Sequence, residues 1–145
     1  YNAGADVVCH LASNAGVGIF EAAKEAGKIA IGSDTDQSLL FAESDPEKAQ
    51  TIMTSSLKRV DISLVHAYEL YKEGNVPYGT CERVGLDKDC VGIIDNDIYK
   101  SYVSDEAAKA IEQAKQDIID GKITVSSAYG MSTDELNAFK EQFVD

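Results

Sequence analysis

Apolar and polar positions in the first half of the chain follow the order expected of a parallel α/β unit. Residues 5–11 form a short apolar run rich in β-formers, which predicts a buried strand. A small, glycine-bearing turn at 12–18 leads into residues 19–26, whose apolar side chains share one helical face that ends at Gly27. Residues 28–32 repeat the buried-strand pattern. A strand, a helix and a strand within about 30 residues predict a parallel pair with a right-handed crossover.

A second strand–helix step follows the first. A single helical turn at 45–48 precedes residues 51–55, which predict a third strand. Residues 59–72 predict a helix that stops at Gly74. This alternation indicates the α/β class, with a mainly parallel sheet and flanking helices. The apolar positions of the second helix are Val60, Leu64, Ala67 and Tyr71.

The pattern changes in the second half of the chain. Residues 78–84 and 90–94 are β-prone runs around a polar turn, which predicts a hairpin or a pair of edge strands. Residues 105–120 have one apolar stripe and predict a helix, and residues 122–125 predict a short strand. A capping box at 132–135 predicts a last helix. Its expected inward positions are Leu136, Phe139 and Phe143.

The charge balance excludes several classes of partner. The chain has 25 acidic and 13 basic side chains, a formal net charge of −12. Nucleic-acid phosphates need a basic face, so nucleic acid is not expected as a partner. No apolar run approaches the ~20 residues of a membrane span. The opening residues 1–4 resemble the end of a helix, without a signal peptide or initiator methionine, so we expect a piece of a longer protein.

Three cysteines give little evidence of metal chemistry. Cys9, Cys81 and Cys90 include no Cys-x-x-Cys pair and no Cys/His cluster, which argues against a zinc site. Cys9 lies in an apolar run and is expected to be a buried small hydrophobe. Cys81 and Cys90 flank a polar turn, so they are a candidate disulfide, and such a bond would indicate an exported protein.

Polar residues gather on the loops that follow the predicted parallel strands. Ligands of such sheets bind at the carboxyl ends of the strands. Asp34 and Asp36 follow the second strand and fit an acid/base pair, a metal site or a hydroxyl-binding site. Lys58 and Arg59 open a helix, where a cation opposes the helix dipole unless it has another partner. Capping by the aspartates and a solvated lysine remain the simpler alternatives.

Nothing in the sequence forms a convincing reaction centre. The segment 14–18 contains Gly-x-Gly but lacks the third glycine of a dinucleotide fingerprint, and no phosphate-binding loop or nucleophile elbow is present. His10 and His66 are isolated, and a lone histidine is more often structural. The pattern is typical of a binding cleft rather than an enzyme, and no cofactor is implied.

Four motifs in register resemble one known family. They are Gly4–Val8, Gly16–Lys24, Ile31–Gln37 and Thr54–Asp61. Together they resemble the basic membrane protein family, the substrate-binding lipoproteins of ABC importers, whose best-known members are purine nucleoside receptors. The resemblance implies a type I periplasmic-binding-protein fold with two α/β lobes. Residues 1–145 would be most of the C-terminal ligand-binding lobe, with a core at 1–75 and a hairpin, helices and hinge-returning segments at 76–145.

The resemblance also implies a ligand site. Asp34 would hold ribose hydroxyls and Lys58 would point at the sugar, while Ser13, Asn14 and Gly16 would line the cleft. The turn around Asn14 departs from the family's glycines and threonine, which leaves the exact ligand open.

The expected function follows from this resemblance. We expect a non-enzymatic, extracytoplasmic, membrane-anchored lipoprotein that hands a nucleoside to an ABC permease, with its N-terminal lobe outside this chain. Two alternatives stay open: another sugar-like ligand or a sensory and regulatory use of the same fold, and a Rossmann-like or flavodoxin-like enzyme domain.

Overall fold

One four-stranded sheet organises the protein. The structure is a computed structural model and describes residues 1–142. Strands β1 (Val7–Cys9), β2 (Ile29–Asp34) and β3 (Ile52–Lys58) are parallel, and β4 (Val91–Ile93) pairs antiparallel with β3, in the spatial order β1-β2-β3-β4. The predicted mainly parallel α/β sheet with flanking helices is confirmed.

Helices follow or connect the strands largely as the sequence pattern predicts. A helix that the sequence analysis missed lies over Asp97–Tyr102, and its signal was the capping residue Asn96, whose side-chain oxygen accepts the Tyr99 N–H at 3.0 Å. None of the helices within residues 1–142 has both the length and the apolar character needed to cross a bilayer. The helices are α1 (Val17–Ala26), α2 (Pro46–Thr51), α3 (Val60–Glu73), α4 (Asp97–Tyr102), α5 (Asp105–Ile119) and α6 (Thr133–Glu141).

Strand register brings three loops to one edge. Val7 lies opposite Ile29 in the first parallel pair, and Asp34 lies opposite Leu57 in the second. Because parallel strands end on the same side, the residues after β1, β2 and β3 meet at one border of the sheet. We call this border the carboxyl edge.

The core lies between the sheet and α1. Phe20 and Ala23 of α1 are fully buried against Ala30 of β2 and Ile52 of β3. The two alanines allow the helix to approach the strands closely, and Phe20 fills the space between them. Phe41 meets the Phe20 ring edge-on at 6.0 Å. This packing fixes α1, and therefore the turn before it, against the carboxyl edge.

The prediction of a buried first strand is wrong. Cys9 is exposed, and Val7 keeps 42% of its surface accessible. β1 is the end strand of the sheet within the described residues, so it has one neighbouring strand instead of two. Composition predicted the strand but not its position in the sheet.

Helix α3 has an apolar face that stays uncovered. No residue of α3 is buried. Val60, Leu64, Tyr68 and Tyr71 recur at helical spacing with exposures of 52–66%. Such a stripe normally packs on a core. Within residues 1–142, nothing covers it.

The predicted hairpin is absent. Residues 78–84 have no strand pairing, and β4 makes its ladder with β3 instead. The Cys90 N–H donates to the Gly85 carbonyl at 3.0 Å and closes the intervening turn. The expected run 90–94 is therefore confirmed as an edge strand, whereas 78–84 is irregular.

The predicted strand at 122–125 is also wrong. The amides of Lys122 and Ile123 both donate to the Asp117 carbonyl, at 2.8 and 3.1 Å, so this segment folds back on the end of α5. The capping box that opens α6 is confirmed. Leu136 and Phe139 are half-buried, and Phe143 lies outside the described residues.

The structure does not contain the candidate disulfide. Cys81 and Cys90 are both free thiols. Cys90 is buried at the start of β4 and its thiol donates to the Lys88 carbonyl at 3.5 Å, while Cys81 is exposed on the irregular segment. One sulfur therefore faces the interior and the other faces solvent.

Charged pairs connect α1 to α2. Lys24 Nζ lies 2.8 Å from Asp45 Oδ1, and Asp45 also caps α2 by accepting the Lys48 N–H at 3.1 Å. The hydrogen bond from Lys24, followed by the one from the Lys48 backbone, lowers the pKa of Asp45 below its usual value. Because the folded-state pKa is the lower one, the pair stabilises the fold above the ordinary carboxyl pKa and is lost as the pH falls through the folded value.

We predict that Asp45→Asn destabilises the protein at pH 7 and that the difference from the parent disappears in strong acid. Asparagine keeps the capping ability, so the change isolates the charge. Urea unfolding of parent and variant at a series of pH values measures this. Glu25→Gln, an exposed change at the end of α1, serves as the control and should show a smaller pH-dependent difference. A constant difference from pH 7 to pH 2 would contradict the assignment.

Candidate functional site

Asp34 ends β2 in a strained conformation. Its φ is +69°, in the left-handed region that favours glycine. The Thr35 N–H donates to the Ser33 carbonyl at 2.9 Å, so Asp34 is the central residue of a three-residue γ-turn. A non-glycine residue held in this way is often part of a functional site. The turn aims the Asp34 carboxylate out of the strand at the carboxyl edge.

Lys58 ends β3 beside Asp34. Its Nζ lies 2.9 Å from Asp34 Oδ1, and both side chains are about half accessible, 64% for Lys58 and 47% for Asp34. The prediction that Lys58 opens a helix is wrong, because α3 begins two residues later at Val60. The neighbouring cation, Arg59, pairs with Asp89 instead. A carboxylate and an ammonium group thus stand together, open to solvent, at the carboxyl edge.

Asp36 does not share this exposed site. One of its carboxylate oxygens accepts the Ser38 N–H at 3.1 Å and the Ser38 hydroxyl at 2.6 Å. The other accepts from the Asn96 amide at 3.1 Å. The capping alternative is therefore correct for Asp36, and only Asp34 of the two aspartates has its carboxylate at the open edge.

The turn after β1 divides into an exposed part and a buried part. Ser13 and Asn14 are exposed, and Ser13 has a left-handed φ of +49°. Gly16 is buried below them, and a Cβ added there would lie 1.9 Å from His10 Nδ1. Ser13 and Asn14 are free to contact a ligand, whereas the glycine makes room for a histidine.

A buried polar cluster lies beneath the carboxyl edge. Gln37 Oε1 is 2.7 Å from the Ser33 nitrogen and 2.8 Å from His10 Nε2, and the Gln37 N–H donates to Ser55 Oγ at 3.2 Å. A backbone N–H can only donate, so the Gln37 atom facing it must be the oxygen. His10 Nε2 must then carry the ring proton, which leaves Nδ1 to accept the Ala12 N–H at 3.4 Å.

The cluster joins the three strands that carry the loops. His10 follows β1, Ser33 belongs to β2 and Ser55 belongs to β3. Sequence reasoning correctly took His10 to be structural, but it missed Gln37 and Ser55. The available signal was the run of polar side chains in a strand that should be buried, since buried polar groups need partners.

The remaining titratable candidates do not assemble into a metal site in the described part of the chain. Within residues 1–142, no group of three or more His, Cys, Asp and Glu side chains is placed to hold a metal ion. His66 is half-buried, and its Nε2 lies 3.2 Å from Glu82 Oε1, which fits a structural role. What the carboxyl edge offers is an acceptor pair and a cationic donor, the chemistry that binds hydroxyl groups.

Residues 1–128 match the family described as ABC transporter substrate-binding protein PnrA-like, or Bmp. The chain belongs to the Bmp family. The resemblance stated from the motifs is confirmed.

Several Bmp relatives are about one third identical to this chain. A Listeria monocytogenes protein named CD4+ T-cell-stimulating antigen is 34% identical, covering 86% of this chain and 37% of that protein. A Lactococcus lactis protein named ABC transporter nucleoside-binding protein BmpA is 34% identical, covering 88% and 38%. Basic membrane protein D of Borreliella burgdorferi is 32% identical, covering 86% and 35%. The chain therefore spans between 35% and 38% of the length of these relatives.

Solved structures agree with this assignment. A crystal structure titled as an ABC transporter system solute-binding protein from Aeropyrum pernix K1 matches with a TM-score of 0.73 and 26% identity, over 97% of this chain and 45% of that one. A structure titled as a transcriptional activator of the comK gene from Bacillus halodurans matches with a TM-score of 0.69 and 25% identity, over 86% and 40%. The fold is consistent with one lobe of a periplasmic-binding-protein architecture.

The left-handed φ of Asp34 should affect the stability of variants at this position. Asp34→Ala and Asp34→Gly both remove the carboxylate, but only glycine adopts a positive φ freely. We expect the glycine variant to be more stable than the alanine variant by about 1 kcal/mol, because a left-handed φ costs an L-residue about 1–2 kcal/mol. The midpoint of urea unfolding measures the difference.

A matched pair of variants at Lys109, exposed within α5, is the control for this prediction. There the order should reverse, with alanine more stable than glycine by about 1 kcal/mol. If alanine is at least as stable as glycine at position 34, the turn is not strained.

Proposed function

We propose that this chain is the C-terminal ligand-binding lobe of the solute-binding component of an ABC importer and that its ligand is a nucleoside. The observation that carries the proposal is the ion pair between Asp34 and Lys58, 2.9 Å apart and open to solvent at the carboxyl edge. In parallel α/β sheets this edge is where ligands bind. Membership of the Bmp family supports the solute-binding role.

The chemistry of the pair suits the ribose of a nucleoside. Two oxygens of one carboxylate accept two hydrogen bonds side by side, which matches the two neighbouring hydroxyls of a ribose. The Lys58 ammonium donates to an oxygen of the same sugar while it keeps its contact with Asp34. Ser13 and Asn14 add exposed polar groups from the neighbouring turn. The name of the Lactococcus relative supports the choice of a nucleoside over other solutes.

Helix α3 supports the expectation of a second lobe. Its stripe of Val60, Leu64, Tyr68 and Tyr71 is exposed, and residues 78–84 next to it have no strand partner. An exposed apolar stripe of this kind fits an interface rather than solvent. We infer that α3 packs on the other lobe of a two-lobed protein and that the segment 78–84 belongs to the part of the chain that returns to the hinge. The relatives are long enough to contain such a lobe.

A role in transport implies two further partners, a membrane anchor and a permease. The full-length protein would be extracytoplasmic, held at the membrane by a lipid anchor, and would pass its ligand to an ABC permease. The acidic charge of −12 fits this setting, since it keeps the chain away from anionic lipid surfaces.

One observation favours a second candidate function. A solved structure that resembles this chain is titled as a transcriptional activator, so the same fold also occurs in a protein described as a regulator. A regulator and an importer would both bind a small ligand at the carboxyl edge. Uptake of radiolabelled nucleoside by cells lacking the protein separates them, because loss of a transport component reduces uptake directly.

Isothermal titration of full-length protein tests the nucleoside site. We predict that Asp34→Asn weakens adenosine binding by about 10- to 150-fold, the loss expected for hydrogen bonds to a charged group. Binding of the 2′,3′-dideoxy analogue, which lacks both hydroxyls, should be weak in the parent and nearly unchanged by the substitution. Lys58→Met should weaken adenosine binding in the same direction.

The matched control is the ion pair between Asp6 and Lys28, which precede β1 and β2 at the opposite edge of the sheet. Asp6→Asn should leave adenosine binding within about twofold, since it removes an exposed pair of the same type far from the site. Equal affinities of the parent for adenosine and its dideoxy analogue would contradict sugar recognition. Unchanged adenosine affinity in folded Asp34→Asn and Lys58→Met proteins would contradict the assignment of the anchors.

A further inference from the structure

We propose that Gln37 is a positioning residue for ligand binding: its buried side chain holds the Asp34 turn in place without touching the ligand. This inference rests on the proposed function, because it concerns the same site. Asp34 has a backbone φ of +69°, a conformation that a non-glycine residue does not favour. Something in the surrounding structure must hold it there.

The contact that restrains the turn comes from Gln37. Its Oε1 accepts the Ser33 N–H at 2.7 Å, and the Thr35 N–H donates to the Ser33 carbonyl at 2.9 Å. Both polar groups of the Ser33 peptide backbone are therefore bonded within the five-residue loop 33–37. Asp34 lies inside this closed loop, so its carboxylate direction depends on the position of the Gln37 side chain.

Gln37 is itself held by the two neighbouring strands. His10 Nε2 donates to the same oxygen at 2.8 Å, and the Gln37 N–H donates to Ser55 Oγ at 3.2 Å. The site is also packed tightly, since a Cβ on Gly32 would lie 2.7 Å from Gln37 Oε1 and 2.5 Å from Ser55 Oγ. The side chain has little room to move, which makes it a suitable fixed support.

Burial separates this role from direct recognition. Gln37 is 7% exposed and His10 is 4% exposed, whereas Asp34 and Lys58 are about half accessible. A ligand at the carboxyl edge meets the exposed pair and not the cluster beneath it. Gln37 therefore acts on the ligand through Asp34.

Three substitutions in full-length protein isolate the accepting oxygen. Gln37→Met keeps the length of the side chain and removes the acceptor. Gln37→Glu keeps an acceptor for both donors. Ser33→Ala is the matched control, because Ser33 is the residue whose backbone N–H donates to Gln37. The Ser33 hydroxyl is buried with no hydrogen-bond partner among the described residues, and its removal leaves that N–H in place.

Adenosine titration of these variants, alone and combined with Asp34→Asn, is the test. We expect Gln37→Met to weaken adenosine binding by about tenfold, Gln37→Glu to restore most of the affinity, and Ser33→Ala to stay within about twofold. In the Asp34→Asn background, Gln37→Met should cause little further loss, because a residue that acts through Asp34 has nothing left to position. An undiminished tenfold loss in that background would overturn the proposal, since a general effect on folding would persist without Asp34.

Amide hydrogen exchange in the ligand-free protein separates this inference from the proposed function. We expect the Ser33 amide to exchange at least about tenfold faster in Gln37→Met than in the parent and at a near-parental rate in Gln37→Glu. If the parent binds no adenosine, the nucleoside proposal fails, and faster Ser33 exchange in Gln37→Met would still support the positioning role. Unchanged Ser33 exchange in Gln37→Met would overturn it whatever the ligand.

Discussion

The side-chain oxygen of Gln37, buried between two donors, is the contact on which the carboxyl edge depends. It accepts the Ser33 N–H at 2.7 Å and the His10 ring N–H at 2.8 Å. The His10 ring connects this oxygen to the turn that contains Gly16. The backbone N–H of Gln37 donates to Ser55, in the strand that ends at Lys58. Buried polar groups that satisfy one another in this way specify a single arrangement, because any other arrangement leaves a donor or acceptor unpaired. The three loops of the site are therefore positioned together.

Local patterns predicted most of the elements of this fold. The first strand–helix–strand unit, helix α3 up to Gly74 and the capping box at Ser132 were all visible in the sequence, since each depends on neighbours within a few residues. The pairing of Asp34 with Lys58 at one edge was also predictable, because parallel strands end on the same side. Motif resemblance supplied the family, which the match over residues 1–128 confirms.

Burial and long-range contacts were not predictable in the same way. Cys9 has the composition of a core residue but belongs to the end strand of the sheet, where packing depends on what lies alongside. His10 and Gln37 are 27 residues apart in the sequence, so a local hydrophobic pattern could not predict their hydrogen bond. The left-handed turn at Asp34 is equally hidden, because aspartate is a common residue in ordinary turns as well. The support of the site is the part that required the structure.

The identity of the small molecule bound to full-length protein decides whether the carboxyl edge binds a nucleoside. Protein purified without denaturation would be exchanged into volatile buffer, and the released ligand identified by mass spectrometry. We predict a ribonucleoside in roughly equal amount to the protein, retained by the parent and lost from Asp34→Asn, since tight binding of one ligand survives purification. Recovery of a nicotinamide or flavin cofactor, or of a solute without neighbouring hydroxyls that Asp34→Asn retains equally well, would contradict it.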